Sequence, residues 1–224
     1  MNLDRKLMAY AAAAAAAGAA TTQSADAAII HTPGPIPVGV DGTVDIDFNG
    51  APGPRQFGVG HERDIAGNDQ TDRLLLKDDA GAFNEGYVAL NGQPAALAAG
   101  ALIGPASEFE SNFNANVGNR LIDEDADEDG FLDDPLTGNF TADNVTGNPQ
   151  YLGVRFKFNE ADPEDYFGWI GVDITNADNK TAVVTGFAYE NVAGTPIAAG
   201  AVPEPAGLAL LAIGAAGLLA RRRG

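Results

Sequence analysis

The sequence has no cysteine, so disulfide bonds, thiolate metal sites and a cysteine nucleophile are all excluded. Histidine is almost as scarce: His31 and His61 are the only two, far apart and outside any H-E-x-x-H spacing. The G-x-S-x-G nucleophile elbow, the G-x-x-x-x-G-K phosphate loop and a dinucleotide fingerprint between strand and helix are missing as well. His61-Glu62-Arg63-Asp64 has polar reach, but a lone histidine there reads as an exposed loop residue without a catalytic partner. Positive charge is also in short supply, with 13 Lys and Arg against 31 Asp and Glu and a net charge of -18. Five of the basic residues (Arg5, Lys6, Arg221, Arg222, Arg223) lie in the terminal segments, where the acidic residues are only Asp4, Asp26 and Glu204. The intervening stretch is therefore more acidic than the chain as a whole. Such a surface repels nucleic acid and anionic headgroups and attracts cations, so nucleic acid is not an expected partner.

What is plentiful is glycine (28) and proline (13), interleaved with alternating apolar residues, which fits a turn-rich β protein. A chain of 224 residues accommodates one folded body with processing segments on either side.

Arg5 and Lys6 precede an apolar stretch from Leu7 through Ala20, and small residues follow to an Ala25-Asp26-Ala27 site. A charged region, an apolar region and a small-x-small site make a signal peptide over residues 1–27, cut by signal peptidase after Ala27. An unbroken alanine run has no polar face and makes a poor surface helix. At the other end Ala206 to Ala220 is an apolar segment followed at once by Arg221, Arg222 and Arg223. As a helix it covers about 22 Å of a hydrocarbon core roughly 30 Å thick. Snorkelling arginines and local thinning extend its reach enough for a single transmembrane helix. The triple arginine acts as the anchor stop on the cytoplasmic side, leaving the acidic body outside.

Immediately before this helix stands Val202-Pro203-Glu204-Pro205, a stiff, extended peptide poor in hydrogen-bond donors. With the apolar helix and the arginine cluster following in order, the chain resembles the PEP-CTERM proteins of Gram-negative bacteria. The resemblance implies a sorting and anchor segment over 201–224 handled by an exosortase, with Pro203, Glu204 and Pro205 as the recognised peptide. These residues are acted upon and catalyse nothing. It further implies export across the inner membrane, transient anchoring, and a final place at the cell surface or outside the cell, where extracellular polysaccharide is a candidate partner.

The body, residues 28–200, is clearest toward its end. Leu152, Val154, Phe156 and Phe158 alternate with Tyr151, Gly153, Arg155 and Lys157; Tyr166 to Thr175 alternates likewise; Asn176 to Lys180 forms a turn; and Thr181 to Glu190 supplies a third strand. This antiparallel meander also resembles the region preceding the sorting signal in one group of PEP-CTERM proteins, through Tyr151 to Phe156, Tyr166 to Ile170 and Gly186 to Glu190. Thr43 to Phe48, Arg73 to Lys77 and Gly86 to Asn91 are weaker strands, and Pro94 to Ala101 is a short helical or irregular connection. The expected fold is all-β, an antiparallel sandwich or jelly-roll-like body. Tyr151, Tyr166, Phe167, Trp169 and Tyr189 would suit a sugar-binding face, but alternation assigns most of them to sheet packing.

The acidic loop 123–134 carries the most specific internal pattern. With Asp125 at position 1, carboxylates stand at Asp125, Asp127, Asp129 and Asp133, a glycine at Gly130, and a backbone carbonyl is supplied by Phe131. The loop resembles the D-x-D-x-D-G calcium loops of EF-hands, dockerins and thrombospondin type 3 repeats, and departs from them where Leu136 replaces the bidentate acid. Calcium and a merely solvated acidic loop both stay open as readings. The expectation for the whole is a noncatalytic exported surface or matrix protein. The alternatives are a secreted carboxylate glycosidase and a calcium-dependent glycan-binding adhesin.

Overall fold

The computed structural model describes residues 27–50, 56–64, 71–78, 83–111, 113, 120–123, 138–140, 149–176 and 181–203. Every regular element among them is a strand, and every pairing is antiparallel. The expected meander is present as β10 (Gln150–Lys157), β11 (Tyr166–Asn176) and β12 (Thr181–Glu190), paired in that order. It forms the centre of a seven-stranded sheet with β1 (Ile29–Val38) against β12, β5 (Phe83–Leu90) against β10, and the short β6 (Gln93–Pro94) and β8 (Phe109–Glu110) against β5. A second sheet of four strands runs β2 (Thr43–Ile46), β3 (Phe57–Asp64), β4 (Thr71–Asp78) and β9 (Arg120–Asp123). The three weaker strand expectations fall on β2, β4 and β5, while Pro94 to Ala101 is irregular apart from a bridge between Leu97 and Tyr151.

The two sheets face each other across one buried cluster, so the body is sandwich-like. Val44, Ile46, Phe57, Val59, Leu74 and Leu76 enter it from the small sheet; Leu152, Val154, Phe156, Ile170, Val172 and Val184 enter it from the large one. Phe48 stacks on Phe156 with ring centroids 4.6 Å apart, and its backbone N–H is satisfied by the buried Gln56 Oε1 at 2.8 Å.

Strand β1 was not expected, because Pro33, Pro35 and Pro37 interrupt it. It lies at the sheet margin, paired with β12 on one side, where missing N–H groups can face away from the ladder.

The large sheet has a second apolar layer on its other face. Phe167, Trp169 and Ala188 point away from the main core and are buried beneath Ile103, Ile197 and Ala199, with Leu97, Phe109 and Tyr151 packed at the margin. The cover is built by residues 95–109 and 191–201, joined through the two-stranded pairing of β7 (Leu102–Ile103) with β13 (Ile197–Ala198). Gly153 is bare where the cover presses on β10: a Cβ there would stand 2.6 Å from Val88 Cγ2 and 3.0 Å from both Ile103 and Leu97. The single-faced pattern expected for the meander therefore holds only in part, since half of β11 is apolar on both sides.

Candidate functional site

The peptide entering the expected sorting signal is a folded part of the body. After β13, Ala199 N–H donates to Ala101 O and Gly100 N–H to Ala199 O, both at 2.8 Å. Gly200 has φ +76°, and a Cβ on it would stand 2.7 Å from the Tyr151 ring, so glycine is required both for the turn and for the close approach. Trp169 Nε1–H then donates to the carbonyl of Ala201 at 3.0 Å, with Tyr151 edge-on to the same indole at 5.3 Å. Val202 alone separates this last tie from Pro203, which is exposed and ends the described stretch.

Of the residues singled out by sequence, Pro203 is thus placed at the rim of the second layer. Glu204, Pro205, Arg221, Arg222 and Arg223 lie outside the described residues, as do the signal segment 1–26 and the apolar stretch 206–220. Asp125, Asp127, Asp129, Phe131 and Asp133 also lie outside them, following β9. Among the described residues no group of three or more His, Asp or Glu is arranged to hold a metal ion, and no helix is long and apolar enough to cross a membrane. The aromatic candidates are absorbed by packing. Tyr166 and Tyr189 join Phe156 and Phe158 at the fringe of the main core, and Phe167, Trp169 and Tyr151 build the second layer.

His61 is not the exposed loop residue that its sequence neighbours suggested. It sits on β3, buried, at one end of the core. The N–H of Asp41 donates to its Nδ1 at 3.2 Å, which leaves the ring hydrogen on Nε2 to donate to the buried Asp72 Oδ1 at 2.8 Å. Both ring nitrogens are committed, and the arrangement pins the 39–42 turn to β3, helped by Arg63 N–H donating to Asp41 Oδ1 at 2.9 Å. The signal that could have found this pair is the antiparallel β3–β4 register, which sets His61 opposite Leu74, two residues from Asp72.

The second layer also contains a cavity of about 370 Å³, lined in part by Ser107, Phe109, Arg155, Glu164, Asp165 and Phe167. Its residues come from the cover, from β10 and β11 and from the connection between them, and no local motif announces them.

Comparison with known proteins gives one finding. Residues 201–223 match the family model of the PEP-CTERM protein-sorting motif. No curated protein and no solved structure matches the chain. The matched stretch begins at Ala201, the residue whose carbonyl is held by the Trp169 indole.

Proposed function

We propose, from the premise that this chain is a PEP-CTERM sorting-motif protein exported to the cell envelope or surface and processed by an exosortase, that its β-sandwich is a noncatalytic surface or extracellular-matrix module. The observation that carries the proposal is the junction between fold and motif. The body does not hang from its sorting signal by a long linker; ordered structure continues to Ala201 and the Pro-Glu-Pro peptide starts two residues later. A domain so joined sits directly at the membrane surface while the segment 206–220 is inserted. It is delivered whole, with its second layer closed, when the peptide bond near the motif is cut. In this reading the signal peptide is removed after Ala27, and Arg221, Arg222 and Arg223 hold the unprocessed tail on the cytoplasmic side.

Intact mass and cell fractionation of the native protein, wild type against Glu204→Ala, test this directly. The expected result is a wild-type product lacking both terminal segments and a Glu204→Ala product that keeps its tail and stays in the membrane fraction. A wild-type protein that retains residues 206–224 would make the tail an ordinary anchor and sink the reading.

A further inference from the structure

We propose that the cavity of the second layer is a binding site for a neutral carbohydrate, which deepens the surface-module reading and does not depend on how the tail is processed. Two of its charged groups are not spent on internal pairing. Among the described residues, Glu164 makes no hydrogen bond or ion pair. Arg155 makes only a long hydrogen bond from Nη2 to Ser111 Oγ at 3.4 Å, although both residues line the same recess. The Arg155 guanidinium is held in place by lying over the Phe109 ring, 5.0 Å from its centroid. Its Nε is buried without a partner. Asp165 is also fixed, with Oδ1 accepting from Asn84 Nδ2 at 2.7 Å and its backbone carbonyl accepting from Gly194 N–H at 2.8 Å. The recess thus offers fixed donors, fixed acceptors and an aromatic wall in a volume within the range of small-molecule sites.

That mixture selects the ligand's chemistry. An anion meets two carboxylates and an acidic chain, and a bare cation meets Arg155. A sugar carries no charge to desolvate: its hydroxyls donate to Glu164 and Asp165 and accept from Arg155, while Ser107 is already held by Gly104 N–H and Leu102 O. Binding fits the geometry better than cleavage. Glu164 and Asp165 are consecutive residues of one connection, whereas glycoside hydrolysis sets its two carboxyl groups on either side of the scissile bond.

The test uses the full-length chain in detergent, screened against an array of neutral hexose and N-acetylhexosamine oligosaccharides, with free glycine as a zwitterionic probe. Binding of the best oligosaccharide is then titrated. The expected result is saturable binding with a Kd of about 1 mM or tighter. It should weaken at least about tenfold in Glu164→Gln and in Arg155→Met, both unfolding at the wild-type temperature. Glu164 is exposed, so its variant keeps the test valid even if Arg155→Met is destabilised. No saturable binding to the array overturns the proposal, and so does binding that both variants leave unchanged. Glycine binding that is lost in the same variants would assign the cavity to a zwitterion instead. Release of reducing sugar by the wild type that Glu164→Gln abolishes would leave the site in place and overturn the noncatalytic reading.

Discussion

The two sheets of this sandwich differ most on the faces they turn away from each other. The outer face of the four-stranded sheet is polar: Thr43 and Asp45 are exposed, and Glu62 accepts from Lys77 Nζ at 2.7 Å and from Arg73 Nη2 at 3.3 Å, with buried Leu75 alternating onto the same side. The outer face of the seven-stranded sheet is instead apolar around Phe167, Trp169 and Ala188, and a second layer of chain covers it. A strand with one solvated face alternates, while a strand covered on both faces is buried along its length. Phe167 through Val172 shows the second pattern without a break. The difference shows which face the rest of the chain is built on. The outer face of the small sheet buries Gly58, Gly60 and Leu75 but spends its polar residues on ion pairs, whereas the apolar outer face of the large sheet positions both the exit of the sorting peptide and the cavity.

The largest effect expected from breaking this contrast is at Trp169. Trp169→Ala removes the biggest side chain of the second layer together with the hydrogen bond to Ala201, and should cost about 3–5 kcal/mol in urea unfolding. Trp169→Phe keeps an aromatic ring but loses the donor and part of the buried volume, at an intermediate cost of about 1–3 kcal/mol. Limited proteolysis separates local from global damage: the alanine variant should be cut within 195–203 before the rest of the body. Equal resistance of wild type and Trp169→Ala across that segment would mean the cover is not held by the indole.

A second prediction concerns Tyr87, on the inner face of β5. Burial, and then the negative charge of Glu110, push its phenol up to about 12 from an ordinary 10.0. The native state therefore keeps this proton at pH values where the unfolded chain has lost it. Stability from this source is complete below about pH 10, falls as the pH rises from there, and is lost once the pH passes about 12. The total is of order 2–3 kcal/mol. Stability measured from pH 9 to 12 should fall less steeply in Tyr87→Phe than in wild type; parallel curves would show that Tyr87 is not the group responsible.

On β3, His61→Phe removes both the acceptor for Asp41 N–H and the donor to Asp72. It should cost about 1–3 kcal/mol by thermal unfolding. A loss confined to a few tenths of a kcal/mol would mean the 39–42 turn holds itself.

How much of this was legible in the sequence varies with the range of the interactions involved. The meander β10 to β12 could be read because alternation is local, and the sorting motif because its three parts follow one another along the chain. Strand β1 could not, since three prolines argue against a strand until its place at a sheet margin is known. Strand β3 was hidden by Gly58 and Gly60, which read as loop but leave room for the Lys77 side chain to cross: a Cβ at Gly60 would stand 2.6 Å from Lys77 Cε. The second layer has no periodicity of its own, being Ala-, Gly- and Pro-rich chain whose burial depends on a sheet encoded elsewhere. The cavity is still further from view, because Ser107, Arg155 and Glu164 meet only through that layer.

The smallest expected effect sharpens the other side of the comparison. Burial pushes the Glu62 carboxyl up, but Lys77 and Arg73 outweigh it and hold the group below its ordinary 4.5. Because the folded-state value is depressed, the stabilisation is complete above about 4.5 and is lost as the pH falls through the lower folded value. Glu62 and Lys77 are both about a third exposed, so solvent screening holds the pair to less than about 1 kcal/mol. Lys77→Met keeps the aliphatic stem over Gly60 and removes the charge. The urea midpoints of wild type and variant should differ slightly near neutral pH, converge as Glu62 is protonated, and converge too in about 1 M salt. A difference that survives both conditions would mean that Lys77 stabilises β3 by covering the glycine, so that the outer face of the small sheet also depends on a covering side chain.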